Sequence, residues 1–174
     1  MQRFLSLVLL ALLVAGCGDT EPRTQVIVVV DSDLAVPGEL DQISIEVTGP
    51  DGTNQTSMAT LGDGEPGLPR TLGLVHTGGS LGPFLVQVDG QLAGSVIVQR
   101  RASFEFQPEQ TLVLTMHLVQ SCVGTSCGAE ETCTEGGCQS RDSTGRLTVW
   151  TGTPPRLGEM PDMDMGTPED AGSG

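Results

Sequence analysis

Apolar and polar residues alternate along most of the chain between residues 24 and 120, as in β-strands that bury one face. Between residues 41 and 47, for example, Ile43, Ile45 and Val47 point one way and the intervening polar residues point the other. Residues 25–30 form a nearly continuous β-branched run, which predicts a strand buried on both faces. Further strands are predicted near 53–61, 70–76, 84–88, 91–98, 102–106 and 112–118. No segment has a convincing helical period, so the protein is predicted to be all-β.

Turn residues separate these strands at short intervals. Gly49-Pro50-Asp51-Gly52 predicts a turn, and Asp89-Gly90 predicts a tight hairpin because both residues tolerate positive φ. Seven or eight short strands at this spacing favour a single immunoglobulin-like β-sandwich over residues 24–120, with a small barrel as the alternative. Its core is predicted to include Ile45, Val86 and Phe104.

The N-terminal segment has the features of an export signal. Arg3 precedes an apolar stretch from Phe4 to Val14, and small residues lead to Cys17. The apolar stretch is too short to span a membrane. The run Leu13-Val14-Ala15-Gly16-Cys17 resembles the lipobox of bacterial lipoproteins. That resemblance implies cleavage before Cys17, thioether lipidation of its sulfur and acylation of the new amine. In such lipoproteins, Asp directly after the lipidated cysteine implies retention in the inner membrane. Gly18 occupies this position instead, which favours delivery to the outer membrane.

The charge limits the partners of the mature protein. The chain has a formal net charge of −14 and contains no lysine. Such a surface repels nucleic acid, because nucleic-acid affinity depends on Lys and Arg neutralising phosphates. It also repels anionic lipids, so the lipid on Cys17 is expected to be the only attachment to the membrane. The expected partner is an envelope protein whose identity the sequence does not specify.

Four further cysteines lie close together, at Cys122, Cys127, Cys133 and Cys138. An even number in an exported protein predicts two disulfides, which can be arranged in three ways. A zinc site with four thiolate ligands is the competing hypothesis. The spacing also resembles the first half of an epidermal-growth-factor-type module. That resemblance implies the pairs Cys122–Cys133 and Cys127–Cys138.

Two histidines, four acidic residues and three methionines are further candidates for functional residues. His76 precedes a turn, and His117 is predicted to face solvent, so neither is assigned a catalytic role. Asp31, Asp33, Glu39 and Asp41 could together supply oxygen ligands for Ca²⁺, but a polar loop is the favoured interpretation. Met160, Met163 and Met165 could bind Cu(I) through thioethers, although a solvated acidic tail is favoured.

These features predict a modular, lipid-anchored envelope protein without a cofactor. The predicted parts are a signal peptide (1–16), a lipidated tether (17–23), the sandwich (24–120), a disulfide knot (121–139), a closing segment (140–153) and a disordered acidic tail (154–174). The predicted function is a non-catalytic structural or protein-binding module. A binder of sugar or metal is the second hypothesis, and an enzyme is the third.

Overall fold

The computed structural model describes residues 23–157, and this part of the chain is built from β-strands with two short 3₁₀ turns. The strands are β1 (Gln25–Ser32), β2 (Gln42–Thr48), β3 (Asn54–Thr60), β4 (Arg70–Val75), β5 (Phe84–Leu92), β6 (Ser95–Phe104), β7 (Thr111–Leu118), β8 (Glu131–Thr134), β9 (Gly137–Ser140) and β10 (Thr148–Val149). The 3₁₀ turns lie at Gln120–Cys122 and Thr144–Arg146. The sequence pattern therefore locates the ends of β1 to β4 and β7 to within two residues.

Two four-stranded sheets pack face to face and form the immunoglobulin-like β-sandwich that the sequence predicts. The first sheet has the order β10-β7-β1-β4, and the second has the order β3-β2-β5-β6. Neighbouring strands are antiparallel except β1 and β7, which are parallel. Ile45, Val86 and Phe104 are buried between the sheets, as predicted, because each lies on the inward face of its strand.

The hairpin between β5 and β6 turns at Ala93-Gly94 and not at the predicted Asp89-Gly90. Ala93 and Gly94 have φ values of 50° and 76°, which suit a tight hairpin turn. Gly90 instead lies within β5, where a Cβ atom would be 2.6 Å from Val98 and 2.9 Å from Leu40. Glycine is therefore required at position 90 for close packing. β6 is also one continuous strand, Ser95–Phe104, where the sequence predicts two.

The cysteine-rich segment forms the predicted disulfide knot. Cys122 bonds to Cys133 and Cys127 bonds to Cys138, which is the pairing implied by the growth-factor resemblance. Because all four sulfurs are joined in pairs, the hypothesis of a thiolate zinc site is wrong. Cys122 and Cys133 are buried and pack with the sandwich residues, so the knot shares the core of the sandwich.

The chain after β10 returns across the first sheet. The N–H of Trp150 donates to the carbonyl of Thr111 at the edge of this sheet, and the N–H of Leu157 donates to Asp31 Oδ2 on its outer face. Asp31 pairs in register with His117, six residues along β7 from Thr111, or about 20 Å. We call the connecting segment, Trp150–Leu157, the strap.

The strap includes residues 154–157, which are the first four residues of the predicted tail. Val29 and Val113 point away from the core onto the outer face of the first sheet, yet both are buried. Leu157 packs against the core, and Pro154 and Pro155 are half-buried. Residues 154–157 therefore have a surface to pack against, which local composition does not reveal. The rest of the predicted tail, 158–174, lies outside the described residues.

Candidate functional site

The two long sides of the sandwich differ in how their edge strands are covered. On one side, the N–H groups of Arg101 and Ser103 on β6 donate to Thr132 Oγ1 and to the carbonyl of Arg141, over 2.8 and 2.9 Å. The neighbouring edge of β7 pairs with β10. On the other side, β3 and β4 are the last strands of their sheets, and no segment between residues 23 and 157 pairs with their outer edges. We call these the covered side and the open side.

The backbone groups on the free edge of β3 follow from its pairing with β2. In an antiparallel pair, the backbone N–H and C=O groups of one residue point toward the partner strand, and those of the next residue point away from it. The N–H of Leu61 donates to the carbonyl of Asp41 over 2.8 Å, so alternate residues from Leu61 back along β3 face β2. Asn54, Thr56 and Met58 therefore direct their N–H and C=O groups outward. Within the described part of the chain, these groups have no hydrogen-bond partner.

Strand β3 also lacks the usual protection of an edge. Proteins discourage strand addition with charged side chains, proline or bulges on their edge strands. The sequence Asn-Gln-Thr-Ser-Met-Ala-Thr has no charge and no proline, and its register with β2 is unbroken. Met58 is 64% exposed on the outer face. β3 is therefore an unprotected edge strand.

A groove separates β3 from β4 and reaches down to the side chains of β2. Gln55, Ser57 and Ala59 are the inward residues of β3, and they lie opposite the buried apolar residues of β2. Leu72 and Leu74 face inward from β4. Because β3 contributes only small or polar side chains, the two sheets do not close over this gap. Clefts of about 540 Å³ and 340 Å³ lie end to end along it.

The two ends of the groove are polar. At the wider end, the ring of His76 lies 5.4 Å from that of Phe106, and Asp51 accepts hydrogen bonds from the hydroxyl and N–H of Thr53. These bonds lower the pKa of Asp51 from its ordinary value. At the narrower end, Arg70 Nη2 donates to the carbonyl of Thr60 over 3.0 Å, and Glu65 lines the same cleft. The groove thus has an apolar middle between two polar ends.

The structure separates the two histidines. His76 donates its N–H to Thr24, next to the start of β1, whereas His117 pairs with Asp31 at the other end of that strand. The seven residue steps from Thr24 to Asp31 span roughly 23 Å. The prediction that His117 faces solvent is wrong, because its side chain is half-buried. Burial and the nearby Arg100 lower the pKa of His117.

The acidic residues considered for Ca²⁺ are used individually to hold loops. Asp31 binds the strap, and Asp33 Oδ1 accepts from the N–H of Gln120 over 2.7 Å. Glu39 accepts from the N–H of Ala35, and Asp41 accepts from the N–H of Ala93. Among residues 23–157, no group of three or more potential ligands could hold a metal ion. The favoured interpretation, a polar loop, agrees with these contacts.

Two sequence-derived candidates lie outside the described residues. These are the lipidation site at Cys17 and the methionines Met160, Met163 and Met165. The groove itself was not predicted from the sequence. Two local signals accompany it: the absence of charge and proline in β3, and the inward series Arg70, Leu72 and Leu74 on β4, which His76 continues just after the strand. Neither signal shows that the two strands face each other.

Comparison with known proteins identifies no relative. No family model, curated protein or solved structure matches the chain. None of the helical segments in residues 23–157 has the length and apolarity needed to cross a membrane.

Proposed function

We propose that the protein is a non-catalytic, protein-binding module of the cell envelope. Lipid on Cys17 holds it at the outer membrane, and the free edge of β3 binds an extended segment of another envelope protein. The observation that carries this proposal is an unprotected edge strand beside a groove that has the partly buried Leu72 and Leu74 in its wall. Strand addition uses backbone hydrogen bonds for affinity and side-chain pockets for specificity, and this site offers both.

The groove suits a strand with alternating side chains. A segment paired with Asn54, Thr56 and Met58 would direct every second side chain inward. Those side chains would meet Leu72 and Leu74, which remain only partly buried. Burying apolar surface is favourable by roughly 25 cal/mol per Å², so a partner with apolar residues at alternate positions is expected to bind best.

A non-catalytic role is supported by the distribution of the reactive groups. His76 and His117 lie at opposite ends of β1, so no single cleft holds both. Each carboxylate considered for metal binding is engaged with a loop N–H group. Strand addition relies on backbone hydrogen bonds and side-chain packing, and neither requires a cofactor.

A small polar ligand is the second candidate, favoured by the wider end of the groove. The cleft of about 540 Å³ is in the size range of ligand sites and combines Phe84 and Phe106 with polar groups of Asp51, Gln55 and His76. A sugar is the ligand class that matches this mixture. His76→Ala should weaken the binding of such a ligand, whereas changes to the outward backbone of β3 should leave it intact.

Photo-crosslinking in cells tests the protein-binding proposal. A photo-reactive amino acid at position 58 of the lipidated protein should give discrete adducts with one envelope protein. The matched position is Val96, which is also exposed but lies on β6. If the photo-reactive residue crosslinked to the same proteins from position 96 as from position 58, a specific binding site on β3 would be contradicted.

Proline provides the mechanistic control. The N–H of Thr56 faces outward, so Thr56→Pro removes a donor for an added strand while leaving the ladder between β2 and β3 intact. Thr56→Val keeps the N–H group and the strand propensity. Adducts from position 58 should be lost with proline and retained with valine. Retention with proline would exclude backbone pairing at this edge.

The anchoring part of the proposal has a separate test. Metabolic labelling with a fatty-acid analogue should modify the native chain and not Cys17→Ala. Unchanged labelling of the variant would show that the lipid is not on Cys17.

A further inference from the structure

We propose that the partner at the open side is a second copy of this chain, in a symmetric dimer whose twofold axis passes through Thr56 of β3 and Gly73 of β4. In this dimer, β3 pairs with β3 of the second copy, and β4 pairs with β4. The inference rests on the proposed function, because it names the envelope protein that pairs with the same edge.

The free edge of β3 can pair with itself. Its outward backbone groups belong to Asn54, Thr56 and Met58, which are spaced evenly about Thr56. With a twofold axis at Thr56, this residue lies opposite its own copy, and Asn54 lies opposite Met58. Each outward N–H group then has a carbonyl acceptor, and the two threonines form a favourable cross-strand pair. β3 contains no charged residue, so these pairs involve no like-charge repulsion.

The outer edge of β4 is free in the same way. The N–H of His76 donates to the carbonyl of Thr24, so alternate residues back along β4 face β1. The outward backbone groups of β4 therefore belong to Thr71, Gly73 and Val75. These residues are spaced evenly about Gly73, which gives β4 the same self-complementary edge as β3.

The centres of the two edges lie level across the groove. The wider cleft is lined by Gln55 and Gly73, and the narrower cleft is lined by Ser57 and Leu72. Thr56 lies between Gln55 and Ser57. It is therefore level with the step from Leu72 to Gly73. A single axis normal to the two sheets can pass through both centres and pair both edges at once.

Gly73 has no role in the single chain that requires glycine. A Cβ atom at this position would meet nothing within 4 Å in the described part of the chain, and Gly73 is not among the glycines with positive φ. Glycine inside a strand weakens it and often marks a place where another backbone approaches closely. In the dimer, that backbone is the β4 strand of the second copy.

The dimer also covers the apolar side chains in the groove. Leu72 and Leu74 face inward from β4 and remain only partly buried in one copy. Pairing about Gly73 places Leu72 of one copy directly opposite Leu74 of the other on the inward face. The apolar residues that suit this groove thus come from β4 of the second copy, while its β3 contributes only small or polar side chains.

Charges at the two ends of the groove are complementary across the axis. A twofold axis places the narrower end of one copy beside the wider end of the other. Arg70 donates to Thr60, and Thr60 lies opposite Gly52 of the second copy, the residue after Asp51. Arg70 and Asp51 of the second copy are therefore at the same level. Glu65 shares the cleft of Arg70 and offsets part of this attraction.

Oxidative cysteine crosslinking of the full-length protein in cell envelopes tests the dimer. T56C and G73C should each give a disulfide-linked dimer, because directly opposed residues in a hydrogen-bonded pair have Cα atoms about 5.5 Å apart. M58C is the matched control on the same strand. Its two copies would be roughly 14 Å apart, so it should give at least about tenfold less dimer. N54C and M58C on differently tagged copies should crosslink to each other.

Proline tests whether the two pairings form together. Thr56→Pro removes an outward N–H group from β3, so it should suppress the dimer formed through G73C. Thr56→Val should retain that dimer. Equal yields from T56C, M58C and V96C would overturn the proposal, because they would report random collision. T56C dimers without G73C dimers would refute an axis shared by both edges.

Photo-crosslinking from position 58 separates this inference from the proposed function. The expected adduct has the mass of two copies of the chain. An adduct with a different protein, with no dimer from T56C or G73C, would retain strand addition at β3 and refute the second copy as its partner. The absence of both adducts and dimers would refute both proposals.

Discussion

The covered and open sides of this sandwich begin with the same structural problem, a pair of edge strands with unpaired backbone groups. On the covered side, the chain after β7 supplies partners for Ile97, Arg101 and Ser103 on β6 and a short strand for β7. On the open side, Asn54, Thr56 and Met58 have no such partners among residues 23–157. The difference shows that, within residues 23–157, the segments after β7 close one pair of edges and leave the other pair without a backbone partner.

The largest expected effect on stability comes from removing the disulfides of the covered side, and the two disulfides should differ. Cys122 and Cys133 are buried in the core, whereas Cys138 is exposed. Replacing the Cys122–Cys133 pair with alanines should lower the free energy of unfolding by about 3–5 kcal/mol, and replacing Cys127–Cys138 by about 2–3 kcal/mol. Denaturant unfolding measures both. Equal losses would show that the knot is not integrated into the core.

The next largest expected effect on stability comes from replacing an arginine, and it should differ between the covered and open sides. Arg101 donates to the carbonyls of Gly128, Ala129 and Glu131, whereas Arg70 donates only to Thr60. Arg101→Met should cost about 1.5–3 kcal/mol, since it leaves several carbonyls without a charged donor. Arg70→Met should cost about 1 kcal/mol or less. A larger loss from Arg70→Met would mean that the open side depends on its edge contacts for stability.

A smaller effect concerns pH and the half-buried His117. Its pKa in the folded protein lies below the ordinary value of 6.5, chiefly because burial disfavours the charged ring. As the pH falls through about 6.5, the unfolded chain binds a proton that the folded chain resists, so stability decreases. Unfolding measured between pH 8 and 5.5 should show this loss. His117→Gln should reduce the pH dependence, and an unchanged slope would contradict the burial of the ring.

The smallest expected effect on stability falls on the open edge. Thr56→Lys places a charge on an exposed strand position, so the free energy of unfolding should change by less than about 0.5 kcal/mol. The same change should nevertheless suppress crosslinking from position 58, because charged residues oppose strand addition. A loss of stability above about 1 kcal/mol would indicate that Thr56 has a structural role.

Features that depend on residues close together in the sequence were predicted, whereas features that depend on distant residues were not. Alternation of Ile43, Ile45 and Val47 depends on residues within one strand, so β2 and its buried face were predicted. The turn at Asp89-Gly90 was predicted wrongly because the requirement for glycine at position 90 comes from Val98 and Leu40, which are distant in sequence. The burial of His117 escaped prediction for the same reason. The groove could not be predicted, since its walls belong to strands in different sheets.

By itself, the sequence determined the all-β class, most strand positions, the core face of each strand and the oxidised state of the four clustered cysteines. These features depend on side-chain periodicity and on residue chemistry, which are both readable along the chain. Only the tertiary structure decided which edges are covered, where the strap binds and that β3 and β4 border one groove. Those features depend on which strands become neighbours, and strand order is set by packing between residues far apart in the sequence.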